Sequence, residues 1–78
     1  MNEQSMTVAI RTDSIELYKL LKLADIAASG GEAKYMISEG MVSVNNEPES
    51  RKRRKIVARD TVEYDGRRIS VISAAERE

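Results

Sequence analysis

The sequence predicts a small α+β domain, a helix hairpin packed on a short, mainly antiparallel β-sheet. Three features predict it. Leu17, Leu20, Leu21 and Ala24 recur at i, i+3, i+4 and i+7, the stripe of one helical face. Ser29-x-x-Glu32 opens a second helical stretch and Gly40 closes it. Beyond Gly40 the apolar period drops to two, as it does in strands with one buried face. All of this must fit in 78 residues, where one core supplies only about 3–5 kcal/mol unless something staples it.

The elements follow in order. Residues 1–6 are polar and aperiodic and are expected to be a flexible tail, with the domain itself spanning 7–73. Thr7 to Ile10 is a strand candidate. Asp13 with Glu16 three residues on has the form of a helix N-terminus, so the first helix is expected to be capped there. Asp25 to Ala28 connects to the second helix. In that helix the Ser29 hydroxyl can accept the third helical N–H while Glu32 reaches back; Ala33, Met36 and Ile37 are its core face. Val42 and Val44 form a strand, and Asn45-Asn46 suits the positive φ of a tight turn. Glu47 to Ser50 reads as loop, since Pro48 cannot sit in a central strand. Thr61 to Tyr64, Asp65-Gly66 and Arg67 to Ile72 form a hairpin on a type I′ turn, and 74–78 is a charged tail.

Composition narrows the chemistry. The chain has no cysteine and no histidine. That excludes disulfides, thiol nucleophiles, imidazole catalysis and ordinary zinc sites. No apolar run reaches the roughly 20 residues that span a bilayer, and no signal-peptide pattern opens the chain. The expectation is a cytoplasmic, non-enzymatic monomer with no cofactor, no metal and no membrane partner. Glu47, Glu49, Asp60, Glu63 and Asp65 lie in turns and strand edges and are expected to be surface charge.

Net charge is zero, but its layout is uneven. Residues 1–50 carry four basic and eight acidic side chains, whereas 51–68 carry eight basic and three acidic. The densest part is Arg51-Lys52-Arg53-Arg54-Lys55. In extended backbone, alternate side chains sit roughly 6.5 Å apart, which would set Arg51, Arg53 and Lys55 in one row. Like charges about 7 Å apart in water repel by roughly 0.6 kcal/mol per pair, a cost that a polyanion removes. The bland alternative is a solvated, salt-screened loop. A second anion candidate is Ser29-Gly30-Gly31, where free helical N–H groups and two glycines allow close approach and Lys34 lies one turn on; Glu32 competes for the same place. Tyr18, Tyr35 and Tyr64 are the only aromatic residues, too few for a base-stacking sheet face.

Ser29-Gly30-Gly31-Glu32-Ala33-Lys34, followed by Ile37-Ser38-Glu39-Gly40-Met41-Val42-Ser43-Val44-Asn45-Asn46 and Val57-Ala58-Arg59-Asp60-Thr61-Val62, resembles the S-four RNA-binding domain. Within that family the stand-alone YaaA/YbcJ-like branch is the nearest pattern. The resemblance covers about residues 15–72 and implies the helix-hairpin αL motif. It also implies an RNA-binding surface made by the start of the first helix, the N-terminal half of the second and the strand and loop that follow. Where many members have Arg-Leu-Asp, this chain has Glu16-Leu17-Tyr18; Gly30 replaces an arginine, Asn46 a glycine, and Arg59 the glycine before Asp60. Those departures remove the usual helix-face arginines, so the cationic anchor is expected to have moved to the basic run. The expected contact set is Ser29, Gly30, Gly31, Lys34, Arg51, Lys52, Arg53, Arg54, Lys55 and Arg59, with Arg67 or Arg68 beside it. The expected partner is structured RNA: ribosomal RNA, an assembly intermediate or ribosomal subunit, or transfer RNA. Docking on an acidic protein in a ribosome-associated complex is the alternative from another class.

Overall fold

The computed structural model describes residues 4–77, with side chains up to residue 75. A five-stranded mixed sheet runs in the order β1-β7-β6-β3-β4, and a two-stranded ladder joins β2 to β5. The elements are β1 (Gln4–Ile10), β2 (Ile15–Glu16), α1 (Leu17–Leu23), α2 (Gly30–Ser38), β3 (Val42–Val44), β4 (Glu47–Pro48), β5 (Lys55–Ile56), β6 (Thr61–Tyr64) and β7 (Arg67–Ser73). Among the described residues only β1–β7 is parallel; the other pairs are antiparallel. This is the α+β architecture that the periodicities predict.

Alternation sets the core. Val42 and Val44, Val62, and Ile69 and Val71 point to one face of the sheet, and Leu17, Leu20, Leu21, Ala33 and Ile37 close over it; all are essentially buried. The opposite face carries Ser43, Glu63, Arg68 and Ser70, with Arg68 Nε donating to Glu63 Oε2 at 2.8 Å across the β6–β7 pair.

Local turn chemistry behaves as its residues dictate. Ser29 Oγ accepts from Glu32 N at 3.1 Å, and the Glu32 carboxylate accepts from Ala28 N at 2.6 Å, a reciprocal cap. Gly40 (φ +76°) ends α2: its N–H donates to Ile37 O, and Met41 N donates to Met36 O. α1 ends the same way with Asp25 at φ +62°, its N–H on Lys22 O and that of Ile26 on Leu21 O. Asp25 does glycine's work there, and nothing in the local pattern announced it. Both Asn45 and Asn46, and both Asp65 and Gly66, take positive φ in their hairpins.

Four expectations need correction. The tail expected over 1–6 gives way to strand at Gln4, because Gln4 to Met6 pair with Arg67 to Ile69; residues 1–3 lie outside the described residues. Ala74–Arg77 of the expected second tail is a 3₁₀ turn beside β1 and β7, with residue 78 likewise outside. Glu47–Pro48 is strand rather than loop, at the sheet edge where proline's missing N–H costs nothing. Helix α1 is not capped from Asp13: it starts at Leu17, its N-cap is Glu16, and that side chain makes no cap bond. The Leu17 and Tyr18 N–H groups donate instead to the carbonyls of Arg54 (2.9 Å) and Lys52 (3.1 Å).

Candidate nucleic-acid interface

The backbone of the basic run is therefore part of the scaffold. Its carbonyls close the open end of α1, and β5 continues into a ladder with β2 that seats Ile56 in the core. Arg51 to Arg54 form a turn, with Arg54 N donating to Arg51 O at 3.2 Å. The expected row of alternating side chains is not formed, since only Lys55 of the five is in a strand. A turn sends successive side chains in different directions.

Two of them bond one carboxylate, Arg54 half-buried and Arg51 with 72% of its side-chain surface still exposed. Glu49 is 7 % exposed, contrary to the surface charge expected of it. Its Oε2 accepts from Arg51 N (2.9 Å) and Arg51 Nε (3.0 Å), and its Oε1 from Arg51 Nη2 (3.1 Å) and Arg54 Nη1 (2.8 Å). Those arginine bonds hold the Glu49 carboxyl at about 2, well below its ordinary 4.5, against the opposing effect of burial. Arg51 and Arg54 are thereby fixed by the fold.

Arg53, Lys52 and Lys55 remain outside this knot. Arg53 lies over the Tyr18 ring, 5.7 Å from its centroid, together with Lys34 at 4.7 Å and Lys19 at 5.9 Å. Glu16 faces the same group, 3.6 Å from Lys19 Nζ and 3.5 Å from Arg53 Nη1. Exposed pairs of that kind contribute at most about 1 kcal/mol. Lys52 and Lys55 are exposed and make no ion pair among the described residues.

The other sequence-predicted residues divide by place. Gly30 borders this group: a Cβ there would meet Lys22 Cδ at 3.8 Å and the Tyr18 ring edge at 3.9 Å. Ser29 is occupied as the cap, while Gly31 is open. Arg59 (φ +81°) is positioned by the sheet, its N–H donating to Val71 O at 2.7 Å. Arg67 lies over Tyr64 and Arg68 pairs with Glu63, so contacts on the sheet engage both.

Sequence reasoning missed Tyr18, Lys19 and Lys22, which share the face, and Glu16 and Glu49, which sort the arginines. Tyr18 could have been found from its spacing, one residue off the Leu17-Leu20-Leu21 stripe and four before Lys22. Glu49 gave no such signal.

A helix hairpin over a mixed sheet, with one cationic face built jointly by α1, α2 and a basic turn, defines a class of miniature α+β domain. The chain belongs to the S4 domain family, whose profile matches residues 8–72. It is 48% identical over 59 residues to the Bacillus subtilis protein named "Probable ribosome maturation protein RlbA", covering 76% of this chain and 83% of that one. It is 46% identical over 59 residues to "Putative RNA-binding protein YbcJ" of Escherichia coli, covering 76% and 84%. The solution structure of E. coli YbcJ, described as revealing an αL motif involved in RNA binding, superposes with a TM-score of 0.66 at 38% identity over 94% of this chain and 91% of that one. Ribosomal protein S4e of Thermoplasma acidophilum shares the fold, with a TM-score of 0.56 at 22% identity over 74% of this chain and 31% of its own.

Proposed function

We propose that this chain binds structured RNA, with ribosomal RNA or a ribosome-assembly intermediate as its target, by neutralising phosphates on the face around Tyr18. The observation that carries the reading is convergence: Lys19, Lys34 and Arg53 come from three separate segments and meet within 6 Å of one ring. Glu16 offsets one of the three charges, and the net positive charge left among cations gathered this closely is what a polyanion neutralises. Lys22, Lys52 and Lys55 extend the charge, and Gly30 and Gly31 let a sugar-phosphate chain approach the backbone. The name of YbcJ supports RNA binding, and that of RlbA suggests ribosome maturation as its setting.

Tyr18 is covered by cations, so bases do not stack on it, and recognition proceeds by phosphate position and A-form shape rather than by base edges. The test is fluorescence anisotropy with a mixed-sequence RNA hairpin across a salt series. Neutralising about four or five phosphates gives a slope of log affinity against log salt near −3 to −4. Affinity nearly independent of ionic strength would overturn the reading. Crosslinking in cells, followed by sequencing of the attached RNA, then identifies the target.

A further inference from the structure

Among the described residues, Glu16 makes the longest ion pairs on the cationic face. Its Oε1 lies 3.6 Å from Lys19 Nζ and its Oε2 lies 3.5 Å from Arg53 Nη1. Charge-assisted hydrogen bonds close to about 2.7–2.9 Å, and neither pair does. Oε1 is also shut off from solvent with no hydrogen-bond partner. A carboxylate placed to clamp arginines would draw in on them, as Glu49 does with four bonds of 2.8–3.1 Å. Glu16 instead spans a gap, one oxygen toward α1 and the other toward the basic turn.

Two oxygens sharing one negative charge, each facing a cation from a different segment, is also how a phosphodiester would sit. We infer that Lys19 and Arg53 form a seat for a single RNA phosphate, which the Glu16 carboxylate fills in the free protein and surrenders on binding. The inference rests on the RNA-binding reading and adds a contact and its competitor to it.

Three features make the exchange feasible. The Glu16 backbone is held by its pairing with Lys55 in the β2–β5 ladder, so only side-chain torsions need change. No hydrogen bond is lost when the carboxylate swings out, since it makes none. The cations stay in place without it, because Arg53 and Lys19 still face the Tyr18 ring and Arg53 continues a turn pinned by Arg51, Arg54 and Glu49. Until it leaves, Glu16 cancels charge that the phosphate needs; afterwards it stands nearby as a like charge. Both effects lower affinity.

The experiment compares wild type, Glu16→Gln and Glu39→Gln against one fluorescent RNA hairpin at several salt concentrations, with thermal melting to verify each fold. Glu39 follows α2 at its far end and serves as the control for net charge alone. The expected result is that Glu16→Gln binds roughly 3- to 10-fold tighter at low salt, with a salt slope steeper by about 0.5–1, while Glu39→Gln changes much less. The gain disappears when Arg53→Ala is added to Glu16→Gln. If wild type binds and Glu16→Gln binds equally or more weakly, or if Glu39→Gln gains as much, the seat is overturned and RNA binding stands. If neither wild type nor Glu16→Gln binds the hairpin, the RNA reading falls and the seat falls with it.

Discussion

Glu49 and Glu16 both face arginines of the same turn, and their distances separate their roles. Around Glu49 every contact is a hydrogen bond of 2.8–3.1 Å and the carboxylate is nearly out of solvent. Around Glu16 the pairs are 3.5 and 3.6 Å long and neither is a hydrogen bond. Contact length rather than exposure separates the two, since Arg51 is 72% exposed beside 65% for Arg53 and 57% for Lys19. The first arrangement fixes the path of the chain; the second leaves its cations exchangeable. A run of like charges in a sequence is thus two devices in the folded protein, one that holds the turn and one that the turn presents.

The sharpest way to break that division is to remove the presented cations together. Lys19→Ala, Lys34→Ala and Arg53→Ala combined should weaken RNA-hairpin binding about 100-fold at moderate salt, while the melting temperature moves by no more than about 3 °C. A large drop in melting temperature would show that these side chains hold the fold as well.

The converse variant is Glu49→Gln. It strips charge from the four-bond knot and should cost about 2 kcal/mol, a fall of about 10 °C in melting temperature for a domain of this size. RNA affinity measured well below the transition should change by less than about fivefold if the holding and presenting functions are separate. Acid provides a second reading of the same group. Because Glu49 titrates near 2 in the folded chain against an ordinary 4.5, it binds protons more readily when unfolded. Its stabilisation is therefore complete above about pH 4.5 and is lost as pH falls toward 2. Urea midpoints across that range should fall in wild type, and the Glu49 share of the fall should be missing in Glu49→Gln.

The smallest effect is expected from Tyr18→Leu. Leucine still packs beside Gly30 but offers no ring to Lys34, Lys19 and Arg53, so affinity should weaken about two- to fivefold with little change in stability. No change at all would show that the turn and the helices place those cations without the ring.

How much was legible beforehand follows from the range of each interaction. The reciprocal cap of Ser29 and Glu32, the glycine stop at Gly40 and the two hairpin turns involve residues at most a few positions apart, and their chemistry can be read from spacing. The Leu17-Leu20-Leu21 stripe and the alternation from Val42 onward likewise predicted which faces are buried. The basic run was visible as a charge excess, but which of its members are tied to a carboxylate by hydrogen bonds was not. That carboxylate is Glu49, which is carried to the turn by β3, whose Val42 carbonyl accepts its N–H at 2.9 Å.

By itself, then, the sequence determined the fold class, the helix hairpin, the local turns and the segment where positive charge accumulates, because each follows from periodicity or from backbone geometry within a few residues. Tertiary structure alone decided that the carbonyls of Lys52 and Arg54 close the start of α1, that Glu49 takes Arg51 and Arg54 into the scaffold, and that Tyr18 gathers Lys19, Lys34 and Arg53. Each of these joins groups from different segments. Hydrogen bonds and charge pairs act over a few ångströms of space, and only the packing of helices, sheet and basic turn brings those groups within range.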